Sequence, residues 1–268
     1  MCLVAIALRA HPRFPLVVAA NRDEFHARPT RPAGWWPDAR RVWAGRDLEG
    51  GGTWMGVTRA GRFALLTNVR ELDHLREDAV TRGALAAAFL NGDASPEAYL
   101  QAVAGERERY NGFNLVCGLL SDTPALWALH HGERRPERAG RVEPISTGLH
   151  GLSNAALDTP WPKTTGLRDD VQTALGVEGL GAKDLVELLF VALADRTEAS
   201  DERLPDTGVG LDWERRLSAR FIAGGDYGTR ASTVLVVESG GRVWAEERRF
   251  GPGGARAGHS RSRWSLGE

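Results

Sequence analysis

Only two cysteines occur in 268 residues, which excludes a disulfide framework, leaves one conceivable bridge between Cys2 and Cys117, and fits a reducing compartment. No run reaches the roughly 18 apolar residues of a membrane helix. The first apolar stretch, Leu3 to Leu8, is broken by Arg9, His11, Pro12 and Arg13, and no basic segment precedes it, so it fails as a signal peptide. Position 2 is Cys rather than Gly, which removes the myristoylation reading. Neither charge sign dominates, with 34 basic against 35 acidic side chains, so neither nucleic acid nor an anionic membrane is expected as a partner. Gly-Lys-Ser/Thr phosphate loops, Cys-x-x-Cys, His-Glu-x-x-His and Gly-x-Ser-x-Gly are all missing. His130 and His131 are adjacent and on a strand would point to opposite faces. No metal and no cofactor is expected, and the chain reads as cytoplasmic.

What is present is an ordinary globular composition, 42% hydrophobic and 26% charged. Apolar runs at Cys2 to Leu8 and Leu16 to Ala20 predict a hairpin buried on both faces, because polar alternation is missing. Thr53 to Thr58 and Phe63 to Asn68 predict a second hairpin. Two helices are expected between 80 and 110, the second started by Ser95-Pro96-Glu97. Strands return at Phe113 to Leu120, Ala125 to His130 and Arg141 to Ser146, helices at Pro162 to Leu175 and Ala182 to Ala194, and a last hairpin spans Thr229 to Phe250. Hairpins alternating with helix pairs argue against a doubly wound parallel sheet and for antiparallel sheets covered by helices. Residues 1–250 are expected to form a single domain, with a flexible excursion at 196–210 and a flexible tail at 251–268.

Cys2 carries the most chemistry. Excision of Met1 would give one residue both a thiol and a free α-amine, with reference pKa values of about 8.5 and 7.7 to 8.0, a nucleophile with its own base. Asn21, Arg22, Asp23 and Glu24 directly follow the second strand. The hairpin lets Arg22 or Asp23 approach Cys2, where an arginine would favour thiolate. Glu49 to Gly56 is a glycine cluster feeding a strand and permits a tight turn or a close backbone approach. Asn68 and Asn154 are candidate oxyanion donors, and Arg230 heads an apolar strand. Trp54, with Trp35, Trp36 and Trp43, is a candidate pocket wall or core residue, and Cys117 reads as core.

Met1-Cys2-Leu3, Ala20 to Glu24, Glu49 to Gly56, Leu66-Thr67-Asn68, Gly151 to Asn154 and Tyr227 to Thr233, taken in order, resemble the NRDE family, also called the transport and Golgi organisation protein 2 family. That family looks related to the N-terminal nucleophile hydrolases. The resemblance implies an α+β fold, a four-layer αββα sandwich of two antiparallel sheets. By similarity to acylases that cleave linear amides, it implies Cys2 as nucleophile, Asp23 as partner of its amine or thiol, Asn68 and Asn154 as oxyanion contributors and Arg230 as electrostatic support. Asn21, Arg22, Glu24 and Trp54 would support the site. In those acylases an arginine precedes the Asn-x-Asp element; here that position is Ala20 and the arginine lies inside the element as Arg22. Two functions follow: a cysteine hydrolase of a small-molecule amide or thioester, active once Met1 is removed, or a haem or acyl-lipid carrier, with His26, His130 and His150 as candidate haem ligands.

Overall fold

The structure, a computed structural model, describes residues 2–39 and 42–267. Met1, whose removal the hydrolase reading requires, lies outside them. Strands β1 (Cys2–His11) and β2 (Phe14–Phe25) form the first hairpin, followed by β3 (Thr30–Trp35), β4 (Val42–Asp47), β5 (Met55–Thr58) and β6 (Arg62–Asn68). Helices α1 (Gly83–Asn91) and α2 (Pro96–Gly105) precede β7 (Phe113–Leu119), β8 (Ala125–His131), β9 (Val142–Pro144) and β10 (Gly148–Leu152). Helices α3 (Pro162–Leu175), α4 (Ala182–Leu193) and α5 (Leu211–Ser218) lead to β11 (Tyr227–Val237), β12 (Arg242–Phe250) and β13 (Arg256–Ser265).

The strands make two antiparallel sheets, ordered β10-β1-β2-β11-β12-β13 and β3-β4-β5-β6-β7-β8-β9. Strand side chains alternate between faces, so β1 serves two cores at once. Val4, Ile6 and Leu8 face the second sheet and pack with Val57, Phe63, Leu65 and Val116. Leu3, Ala5 and Ala7 face Leu167 and Val171 of α3 and Leu185 and Leu189 of α4. Phe89 and Leu100, from α1 and α2, close the far side of the second sheet against Ala64, Leu66 and Leu115. The order of layers is helices, sheet, sheet, helices, the expected αββα sandwich. Each predicted helix is present, and α2 has the expected cap, Ser95 Oγ accepting from the Ala98 amide.

Several expectations are corrected. Asn21 to Glu24 do not follow β2 but belong to it, because β1 pairs with it as far as Arg22 and β11 continues the pairing through Asp23 and Glu24. β3, β4, β10 and α5 occupy stretches in which no element is expected. The supposed tail at 251–268 holds β13, which pairs with β12 from Arg242↔Ser265 to Phe250↔Arg256. Trp264 anchors it: the indole is 6% exposed and packs edge-on to Trp35 at 4.9 Å. The 196–210 excursion is tied down where the Thr207 amide donates to Glu214 Oε1 of α5 at 2.8 Å.

Candidate functional site

Cys2 opens β1 directly opposite Arg22 of β2. By the two-residue period, Cys2 shares the inter-sheet face of Val4 and Ile6, and Arg22 shares that of Ala20. Arg22 therefore brings a cation to the face that Ala20 leaves neutral, two residue pairs nearer the start of β1. Its guanidinium lies 4.5 Å over the Trp54 ring, is 3.3 Å from Thr30 Oγ1 and is 3.9 Å from Glu24. Ser153 Oγ donates to the Cys2 carbonyl at 2.8 Å, fixing the backbone of the candidate nucleophile.

A cavity of about 130 Å³ opens at Cys2, bordered by Arg22, Asp23, Glu24, Arg28, Asp47, Trp54, Asn68 and Arg82 among others. Its walls are polar and of mixed charge. Arg28 is neutralised by Asp47 at 2.9 Å and Glu49 at 3.1 Å. The glycine cluster explains how the wall is built. A Cβ on Gly52 would lie 2.2 Å from the carbonyl carbon of Gly83, so only glycine allows the start of α1 to reach the cavity. Gly51 turns the chain at φ +71°. Burial pushes the Cys2 thiol up, the charges of Asp23 and Glu24 push the same way, and Arg22 pulls it down.

Asp23 is 1% exposed and accepts from Thr229 Oγ1 at 2.7 Å. Burial raises its carboxyl pKa, opposed first by Lys163, then by Thr229 and Arg22. Asn68 borders the cavity. Asn154 does not: its Nδ2 donates to the Asn68 carbonyl at 2.8 Å, and its own carbonyl accepts from the Arg70 amide at 2.9 Å. It positions Asn68. Arg230 is also displaced. The register slips between Thr229 and Ala231, a bulge that re-aims the side chain, and its guanidinium donates to the carbonyls of Phe25 and Arg28 at 2.8 and 3.1 Å. Asn21 points to the helical side, donating to the carbonyls of Leu193 and Arg220 at 2.9 and 2.7 Å and accepting from Ser232 at 2.6 Å. It ties α4 to the sheet.

Three residues at or beside the site escape sequence reasoning. Ser153 adjoins a candidate but looks like a turn residue. Arg82 gives no signal in sequence; it borders the cavity and donates to the Gly112 carbonyl at 3.0 Å. Lys163 follows the proline that starts α3 and reads as an ordinary first-turn lysine; it is 4% exposed and within electrostatic range of Asp23 and Cys2. Trp35, Trp36 and Trp43 pack in the cores, so Trp54 is the tryptophan that borders this cavity. His26, His130 and His150 do not line it. Among the described residues no group of three or more His, Cys, Asp or Glu could hold a metal ion, and no helix is long and apolar enough to cross a membrane.

Two antiparallel sheets between helical layers are the fold class of the N-terminal nucleophile hydrolases. A conjugated bile acid hydrolase from Clostridium perfringens shares that fold at a TM-score of 0.50 over 98% of this chain and 92% of that one, with 8% identity. The family described as Transport and Golgi organisation 2 matches residues 1–252, and the chain belongs to it. The Transport and Golgi organization protein 2 homolog of Bos taurus is 35% identical over 265 residues, and that of Homo sapiens 32% over 264, each match covering 92% of both chains.

Proposed function

We propose that the protein is an N-terminal cysteine hydrolase acting on a linear amide or thioester of a small molecule after loss of Met1. The observation that carries this reading is the register Cys2↔Arg22 at the mouth of a polar cavity that Asp23 and Asn68 also border. The freed α-amine of Cys2 takes the thiol proton, as a buried thiol with a raised pKa requires. The thiolate attacks the carbonyl carbon, and the Asn68 amide faces the oxyanion. The ammonium returns its proton to the leaving amine or thiol. Water, deprotonated by the same amine, attacks the acyl-cysteine carbonyl and releases the acid and the free thiol. Asp23 holds the amine in place, and Arg22 offers charge to the thiolate.

The carrier reading is less well supported at this site. Its volume of about 130 Å³ is below the roughly 300 Å³ at which pockets begin to enclose drug-sized ligands. Intact-mass measurement and trapping with an electrophilic acyl donor test the hydrolase reading. Loss of Met1 and one acyl adduct on Cys2 are expected, with turnover abolished in Cys2→Ala. A retained Met1, or unchanged turnover in that variant, overturns it.

A further inference from the structure

A second, larger cavity lies away from Cys2, on the helical side of the first sheet. By the two-residue period, Trp244, Glu246, Arg248 and Phe250 of β12 share one face. Trp244 packs in the core beneath α3 and α4, but the residues after it run out from under the helices. There the sheet, the end of α4 and the turn around Gly254 enclose a groove of about 620 Å³, within the roughly 300 to 1,000 Å³ of small-molecule sites. It shares no lining residue with the cavity at Cys2.

Its walls are aromatic and its rim is cationic. Phe190 and Val191 of α4 supply apolar surface together with Phe221 and Phe250, whose rings meet edge to face at 4.8 Å. Val191 is 71% exposed although it is apolar. Four arginines and two glutamates line the groove, and both glutamates are committed to one arginine. Arg248 pairs with Glu187 at 2.5 Å and with Glu246 at 3.2 Å, and lies 3.8 Å over the Phe190 ring. Among the described residues Arg196, Arg249 and Arg256 have no acidic partner within 4.0 Å. Arg196 instead stacks 5.1 Å over Phe221, and Arg249 donates to Ser260 Oγ at 3.0 Å. Gly254, at φ +78°, leaves the room that seats Arg196: a Cβ there would lie 2.8 Å from its guanidinium and from the Phe221 ring. With His259 neutral, the lining carries a surplus of two positive charges, and guanidinium holds its charge at any ordinary pH.

We propose that this groove binds a phosphate monoester carried on a compact aromatic body. Three features point to that chemistry. A phosphate monoester bears about −1.5 to −2 charges at pH 7, which matches the surplus, whereas a single carboxylate leaves half of it unanswered. Guanidinium forks match phosphate oxygens in geometry as well as in charge. The phenylalanine walls take a flat ring through offset and edge contacts, where a flexible chain would lose more rotamer freedom on binding. The site stands whether or not Cys2 is a nucleophile.

The test titrates the full-length chain calorimetrically with 1-naphthyl phosphate at low salt and about pH 7.5, where the ester is a dianion. One molecule per chain is expected. Naphthol, which lacks the head, and inorganic phosphate, which lacks the body, should each bind at least about tenfold more weakly. Arg196→Gln and Arg256→Gln should each weaken the probe about tenfold. Val191→Glu, which sets a carboxylate on the exposed wall, should do the same, while Val191→Gln keeps the affinity within about twofold. All three positions are exposed, so these variants should melt with the unchanged protein. Cys2→Ala should bind the probe as tightly as the unchanged chain. Absence of binding at millimolar probe, an affinity unmoved by either arginine variant, or naphthol binding as tightly as its phosphate overturns the proposal. Loss of binding in Cys2→Ala also overturns it, by placing the probe in the other cavity. So does a dimer that Val191→Glu breaks in sedimentation, which assigns the groove to a second copy of the chain.

Discussion

Asn68 and Asn154 look interchangeable as sequence and are not so in space. Asn68 borders the cavity while Asn154 holds the Asn68 carbonyl from behind. Removal of a single oxyanion donor costs on the order of 10² to 10³ in kcat. Asn68→Ala is therefore expected to lose turnover by that factor with little change in melting temperature, compared by parallel kinetic and calorimetric measurements. Asn154→Ala leaves a carbonyl unsatisfied in a buried setting. A loss of about 1 to 3 kcal/mol is expected from urea unfolding, with turnover falling as a secondary effect. Arg22 works through its position on the ladder. Arg22→Met should slow alkylation of Cys2 by iodoacetamide near neutral pH, because the thiolate loses a cation that favours it.

At the scale of elements, β13 is the clearest consequence of tertiary context. Ending the chain after Gly251 would strip the partner from β12 and remove Trp264 from its place beside Trp35. A lower melting temperature and concentration-dependent aggregation are expected, since an unpaired strand edge is a template for association. Trp264→Ala alone should cost about 3 kcal/mol or more by urea midpoint. The same strand shows why part of the fold was illegible in the sequence. Its arginines, serines and glycine resemble a tail, and only the single Trp264 is buried. β1, β11 and the four core helices declare themselves because apolar residues fill whole faces. In sequence β2 reads five residues short because Asn21 to Glu24 are polar, yet β1 pairs as far as Arg22 and β11 through Glu24. Motif order picks out Cys2, Asp23 and Asn68, which border one cavity, but it does not show that Asn154, Arg230 and Asn21 turn to other partners. Lys163 is not legible at all: nothing local distinguishes a buried first-turn lysine from a solvated one.

For the whole molecule, a titrating clasp joins the far end of the same loop that carries Ser153 and Asn154. His150 Nδ1 and Asp158 Oδ2 lie 2.7 Å apart, and Asp158 Oδ1 accepts from the Gly151 amide at 2.8 Å. The Asp158 bond raises the His150 pKa, while burial of Asp158 is outweighed by the His150 and Gly151 bonds that lower its carboxyl. The histidine contribution is full below its unfolded value of about 6.5 and is lost as pH rises through the raised folded value. The aspartate contribution is full above about 3.9 and is lost as pH falls through the lowered one. Stabilisation should peak between about pH 4 and 6.5. Asp158 has φ +62°, a conformation asparagine tolerates, so Asp158→Asn removes the charge without straining the chain. Thermal melts should show a deficit of about 1 kcal/mol near pH 5.5, screened because Asp158 is partly exposed, and shrinking as pH rises through the raised His150 value. One practical consequence follows from β1 running between β10 and β2 with Cys2 at its very start. An affinity tag fused ahead of residue 2 would acylate the amine that the proposed hydrolysis uses, so preparations meant to test it should carry their tag beyond β13.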